Sequence, residues 1–374
     1  MVSWSELPLH GGKVPPHLLV RMKGLAKAIV EVMVEEWGPD ELVYRLSDPF
    51  WFQAFNNVIG MDWDSSGSTT VVLGVLKEIS WKEDLGFLVL GGKGKKMLKV
   101  KEEAEVAAKR LNVDPEELRR VSKASARLDS ALLQDGYEVY IHSLIVSERA
   151  WTVVQQGMNE ELALARRYQL NHLNAPWEVP HSAVAGRRGE ALDLTSKASI
   201  KTIDISLDII DEGPKRVLSL LKSATAALKG QRNLRGEVLR GPQLKFYYPV
   251  RPSPQLERAL ADLYEFRPKR REELLVAPGA GPKVMRALAL ISHLIYGAAP
   301  SFEDPVTVPL DPFLYSYAVG GKDGVPYPYD VKTADEVIKI LEEVVARAKV
   351  GEKERLRALR RLSEMVENLH ARGA

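Results

Sequence analysis

The strongest constraint on the fold is a change of period in the middle of the chain. Residues 137–146 and 150–156 alternate in the manner of β-strands, joined by the short polar turn Ser147, Glu148 and Arg149, while the sequence on either side keeps helical spacing. Residues 16–37 place Leu18, Leu19, Met22, Leu25, Ile29 and Met33 on one helical face, and Gly38-Pro39-Asp40 ends that helix and starts the next. Residues 47–61 read as a helix with Ser47 as N-cap, carrying Phe50, Trp51, Phe52 and Phe55 either into the core or towards stacked bases. Helices are also expected over 101–111, 114–128 and 160–170, a strand over 85–90, and a brief extended piece at 244–250. The reading is an α+β chain: a mixed α/β domain over 1–188, the candidate catalytic domain, then a mainly α-helical domain over 189–374, the candidate DNA-binding domain.

A chain of 374 residues that is 45% hydrophobic can bury a core of that size. The absence of cysteine excludes disulfides, thiolate metal sites and thiol nucleophiles, so any metal must be held by His, Asp or Glu. No long apolar run and no signal-like start are present, which sets the expectation of a cytoplasmic protein without a membrane partner. A net charge of +2 hides 27% charged residues, so basic character is local, and the Glu, Lys and Arg content fits thermophilic usage.

The sharpest local motif is Pro278-Gly279-Ala280-Gly281, between apolar helical stretches within 272–297 and followed by Pro282 and Lys283. It has the outline of a helix-hairpin-helix. Gly279 and Gly281 are expected to allow positive φ and to let the backbone approach a ligand closely, Pro282 suits a first helical turn, and Lys283 and Arg286 add charge where helix amides would meet a phosphate. Arg270 and Arg271 stand just upstream. An ordinary αα-hairpin would show the same pattern. A second phosphate-contact candidate is 91–96, where Lys93, Lys95 and Lys96 alternate with glycines, although solvated hairpin tips have the same composition. The polar turn 62–70 lacks a P-loop ending and reads as a helix cap.

For chemistry on such a substrate, Asp129, Asp135, Glu138, Gln155 and Gln156 lie on and around the two strands as catalytic candidates. Asp129 and Glu138 could together hold Mg or Mn against a scissile phosphate. Alternation is expected to put Glu138, Tyr140 and His142 on one strand face, with a solvated face as the plainer account. The layout resembles a restriction-type nuclease core, with VVQQ in place of the acidic-x-Lys signature. His10, His142 and His181 could join a metal site only if the fold gathers them. Alternatively, Lys283 followed by Asp304 resembles the order of nucleophile and carboxylate in helix-hairpin-helix DNA glycosylases with lyase activity.

The strings LPLHGGKVPP, LSDPFWFQAF, SSGSTT, GGKGKK, LDSALLQDGY, WTVVQQGMN, PHSAV, GPKVMRALAL and GGKDGVPYP together resemble the prokaryotic, mostly archaeal family catalogued as domain of unknown function 763. The resemblance spans nearly the whole chain and brings no assigned activity. The expectation is therefore a nucleic-acid-processing protein with DNA as partner, first a metal-dependent repair nuclease, then a glycosylase/lyase, then a non-catalytic DNA- or RNA-binding protein.

Overall fold

The computed structural model describes residues 7–8, 16–60, 66–173, 180–229, 242–247, 250–307 and 331–373. The N-terminal part runs β1 (Leu7–Pro8), α1 (Pro16–Trp37), α2 (Pro39–Arg45), α3 (Pro49–Ile59), α4 (Ser66–Lys82) and β2 (Phe87–Lys93), followed by a 3-10 turn at Gly94–Lys99. Next come α5 (Val100–Leu111), α6 (Pro115–Arg127), a π-turn at Leu128–Leu132, β3 (Leu133–Gln134), β4 (Glu138–Ser147), β5 (Trp151–Asn159), β6 (Leu164–Asn171), β7 (Ala183–Ala185) and β8 (Glu190–Asp193). The remainder is α7 (Ile200–Asp211), α8 (Pro214–Lys229), α9 (Pro254–Phe266), α10 (Arg271–Val276), α11 (Pro282–Leu294), β9 (Ser301–Glu303), α12 (Val331–Arg347) and α13 (Glu352–Gly373).

The main sheet is antiparallel, ordered β1-β6-β5-β4-β2, with β7 also on β6; β3, β8 and β9 form a second sheet. Both faces of the main sheet are covered. Phe87, Val89, Ile141, Ile145 and Val154 pack under α1 to α4 with residues of α12 and α13, while Leu88, Leu90, Leu144, Val146, Val153 and Leu170 pack under α5, α6 and α7 to α11. Alternate strand residues thus feed two separate apolar layers. The second layer takes in residues from both sides of position 188, among them Leu132, Leu192, Leu288 and Leu290.

Several elements differ from the sequence expectation. Residues 164–171 form strand β6, not a helix. The chain turns at Glu160–Ala163, where the Asn159 side chain accepts from Leu162 N at 2.9 Å and Ala163 takes φ 55°, and then pairs along β5. Asp48, not Ser47, caps α3: its carboxylate accepts from Phe50 N at 2.7 Å and Trp51 N at 3.0 Å. Phe52 and Phe55 are fully buried and Trp51 nearly so, consistent with the core reading of these aromatics. The strand predicted at 85–90 extends through Gly91, Gly92 and Lys93, which pair with Ser143, His142 and Ile141. A Cβ on Gly91 would stand 2.3 Å from the His142 carbonyl oxygen, so this glycine serves strand pairing. The extended piece at 244–250 is replaced over Pro242–Tyr247 by a 3-10 helix.

Candidate functional site

The alternation expected along β4 is broken by a bulge. Register passes from Val139 opposite Gly157 to Ile141 opposite Gln156, leaving Tyr140 as the extra residue. Tyr140 therefore joins the α1–α4 side, where its hydroxyl accepts from Gln156 Nε2. His142 turns to the opposite face, and Glu138, in register with half-buried Met158, is exposed at the strand start. Glu138, Tyr140 and His142 do not share a face.

On the α6 side of the sheet, His142, Gln155 and Tyr168 lie side by side across β4, β5 and β6. His142 Nδ1 meets Gln155 Oε1 at 2.8 Å and its Nε2 meets Ser122 Oγ at 2.8 Å. Gln155 Nε2 donates to Ser125 O at 3.1 Å and to Asp129, whose other oxygen receives His181 Nε2 at 2.5 Å. These contacts fix a polarity. The Ser125 carbonyl and the Asp129 carboxylate can only accept, so the Gln155 amide group faces them and its oxygen faces His142. His142 then carries its proton on Nδ1, and Ser122 donates to Nε2. Burial pushes the His142 pKa down, against the opposing pull of Gln155.

That shift sets a pH dependence. With its folded pKa below the unfolded value, His142 contributes stability that is present above about pH 6.5 and lost as pH falls through the folded pKa. His293, also pushed down by burial, acts in the same sense. Chemical denaturation between pH 7.5 and 5 should show falling stability, with a shallower fall in His142→Gln. A fall equally steep in the variant would remove His142 from the account.

A second buried cluster adjoins the first. Arg166 Nη1 donates to Asp135 at 2.7 Å and to Asp304 Oδ1 at 3.0 Å, while Nη2 donates to Asp304 Oδ2 and to Arg187 O, each at 2.6 Å. The Tyr168 hydroxyl donates to Asp135 at 2.7 Å, and Gly189 N donates to Asp304 at 2.6 Å. Burial acts to lower the Arg166 pKa, but Asp135, Tyr168 and Asp304 hold it above its ordinary value. Burial raises the Asp135 pKa, against the pull of Arg166 and of Tyr168.

The catalytic candidates are thus distributed over separate surroundings. Asp129 and Gln155 meet, with His181 as the partner that spacing did not reveal; Asp135 and Asp304 meet through Arg166; Gln156 lies on the other face and Glu138 at the surface. Asp129 is fully buried with both oxygens accepting, and the bulge sets Glu138 apart from it. This pair does not fit a shared Mg or Mn ion. Lys283 is exposed, whereas Asp304 is held by Arg166. His10, Asp62 to Ser65 and residues 320–328 lie outside the described residues.

The α10 to α11 turn shows separate roles for its glycines. Gly279 has φ 81°, and a Cβ there would stand 2.0 Å from the Ala259 carbonyl of α9, so its close approach is to a neighbouring helix. Gly281 has φ −89° instead of a positive value; it is the N-cap of α11, makes no side-chain cap, and a Cβ there would meet nothing within 4 Å. Pro282 and Lys283 beyond it are exposed. The carbonyls ending α10 are taken up by α6: Lys123 Nζ donates to Val276 O at 2.6 Å, and Arg127 to Leu275 O at 3.2 Å and to Ala277 O. Arg286 donates to Gln134 at 2.8 Å, Arg271 to Thr195 O at 2.7 Å, and Arg270 to Glu273 at 3.0 Å.

Basic side chains form a path to this turn. Lys93, Lys95, Lys96 and Lys99 are exposed, and Lys99 leads directly into α5 and exposed Lys101. Arg119 of α6 donates to Lys101 O at 3.2 Å while taking up Glu105 and Glu116. The Lys123 pKa is lowered by burial and then by the nearby charges of Arg127 and Lys101. From Lys123 the hydrogen bond to Val276 O reaches the turn before Lys283.

The molecule is a two-faced antiparallel sheet between helical layers, with a buried His/Asp/Gln network on one face and a run of cations beside it. Residues 3–329 match the family described as Protein of unknown function (DUF763), and the chain belongs to that family. No curated protein and no solved structure matches it. Among the described residues, no helix is long and apolar enough to cross a membrane.

Proposed function

We propose that this protein binds the phosphate backbone of nucleic acid, DNA in the first instance, along the path from Lys93 to Lys283, with the α10–α11 turn acting as a helix-hairpin-helix grip. The observation that carries this reading is the connection of the two basic segments through α6, by Arg119 at Lys101 and Lys123 at Val276. The uncapped start of α11 at Gly281, beside exposed Lys283, supplies a helix end suited to an anion.

The geometry favours a binding role over the two enzymatic ones. A nuclease built on Asp129, Asp135 and Glu138 would need carboxylates converging on a cation, and the two buried ones already serve His181, Gln155 and Arg166. A lyase would need Lys283 desolvated so that its amine loses a proton, and Lys283 is exposed.

Charge reversal tests the proposal. Lys95→Glu with Lys99→Glu, and separately Lys283→Glu, should each weaken binding of a labelled duplex about tenfold or more, by similar factors for unrelated sequences. Fluorescence anisotropy reads the affinity and thermal melting checks the fold. Unchanged affinity in both variants would remove the path from consideration.

A further inference from the structure

One member of the buried polar network reaches the surface. Ser122 is half-buried on α6, whereas His142, Gln155 and Asp129 behind it are at most 3% exposed. The contacts follow the order of an activated hydroxyl. Ser122 Oγ meets His142 Nε2 at 2.8 Å, His142 Nδ1 meets Gln155 Oε1 at 2.8 Å, and Gln155 Nε2 is anchored by Ser125 O and Asp129. Nucleophile, base and an orienting third group thus stand within hydrogen-bond reach in turn, drawn from α6, β4 and β5. The tautomer of His142 leaves Nε2 as the acceptor for the Ser122 proton. Burial, by lowering the His142 pKa, keeps the ring neutral and able to take that proton. The hydroxyl also stands on the basic path. Arg119 lies one turn before Ser122 and Lys123 directly after it, the two side chains through which α6 joins Lys101 to Val276. On the sheet, Gly92 is in register with His142 and carries no side chain; Lys96 covers it, with its Cβ 3.4 Å from where a Gly92 Cβ would stand.

We infer that Ser122 is a nucleophile for a phosphodiester of the nucleic acid held on this path, with His142 as its general base. The substrate class rests on the proposed path, the chemistry on the contact of Ser122 with His142. In the step, a lone pair of Ser122 Oγ forms the bond to phosphorus while the hydroxyl proton passes to His142 Nε2. The bond from phosphorus to one sugar oxygen breaks, and that oxygen keeps the electron pair and takes the proton from Nε2. The strand is then joined to the protein through a phosphoserine, and attack by the freed sugar hydroxyl reverses the step, so no further reactant is consumed. Neither converging carboxylates nor a desolvated lysine are required, the two conditions that the other enzymatic readings did not meet.

The test has two arms, both on the full-length protein. The first needs no nucleic acid. Because the chain has no cysteine, Ser122→Cys introduces a single thiol, whose alkylation by iodoacetamide at pH 7 reads its activation directly. It should react at least tenfold faster than the same thiol in the double variant with His142→Gln, and faster than Ser130→Cys, which places a thiol at an exposed position of the next turn. A rate no higher than that of Ser130→Cys would overturn the inference whether or not His142→Gln folds. The second arm uses duplexes in which sulfur replaces one bridging oxygen of a central phosphodiester, on the 3′ side in one and the 5′ side in the other. The thiolate that leaves returns poorly, so the adduct should accumulate as a band stable in detergent, mapped to Ser122 by mass spectrometry and at least tenfold weaker in Ser122→Ala. No adduct with either duplex, under conditions where anisotropy shows both bound, would overturn the phosphodiester as substrate. Absence of duplex binding would instead overturn the path, with the alkylation rates still reporting on Ser122 alone.

Discussion

Arg166→Met is expected to destabilise the protein by about 3–5 kcal/mol, the cost of leaving buried carboxylates without their counter-charge. Asp135 and Asp304 each have side chains only 1% exposed, as does Arg166, so water cannot replace the guanidinium. Asp304 also holds Gly189 N and, at 3.2 Å, Val306 N, so its displacement would loosen the chain on both sides of β8 and β9. Urea denaturation at pH 7 measures the effect. Combining Arg166→Met with Asp135→Asn and Asp304→Asn should recover part of the loss, since neutral amides remove the uncompensated charge. A loss below about 1 kcal/mol in the single variant would match the range of an exposed pair and contradict the burial argument.

Gly279→Ala should be the second large loss, about 2–5 kcal/mol, from a left-handed backbone disfavoured for alanine and from a Cβ driven against backbone at Ala259. Because the colliding atom is a helix carbonyl, the neighbour cannot move aside as a flexible side chain would. Gly281→Ala is the matched control. That position has ordinary φ and open space, so its stability should stay within about 1 kcal/mol of the parent. Comparable melting temperatures for both variants would mean that the turn is not packed on α9 as described.

The sequence made the helices with regular apolar spacing and the hairpin of β4 and β5 legible, because one side of each element is apolar and the other is not. It misled at β6. All eight residues from Leu164 to Asn171 are buried, including Arg166 and Arg167, so polar side chains face both interiors and the two-residue period vanishes. Arg166 enters an ion cluster on one face and Arg167 lies over the Phe52 ring on the other. The extra residue at Tyr140 was also invisible, since a bulge leaves the composition of a strand unchanged while reversing which side chains share a face. Asp129 and Gln155 were legible as polar residues near the strands. His181, 52 positions from Asp129, required the fold, as did the pairing of Asp135 with Asp304 through Arg166. For Gly279 the residue type indicated the positive φ, but the close approach was read as one to a ligand, and the structure places the Ala259 carbonyl of α9 there.

The central claim is tested most directly by measuring the affinity of the full-length protein for a fluorescent 20-base-pair duplex as salt is raised from 50 to 300 mM. Binding through several lysines of the path predicts a linear fall of log K with log salt, with a slope of roughly −3 to −6 for three to seven phosphates neutralised. A flat profile, or no binding at the lowest salt, would contradict the assignment of this path as a nucleic-acid surface.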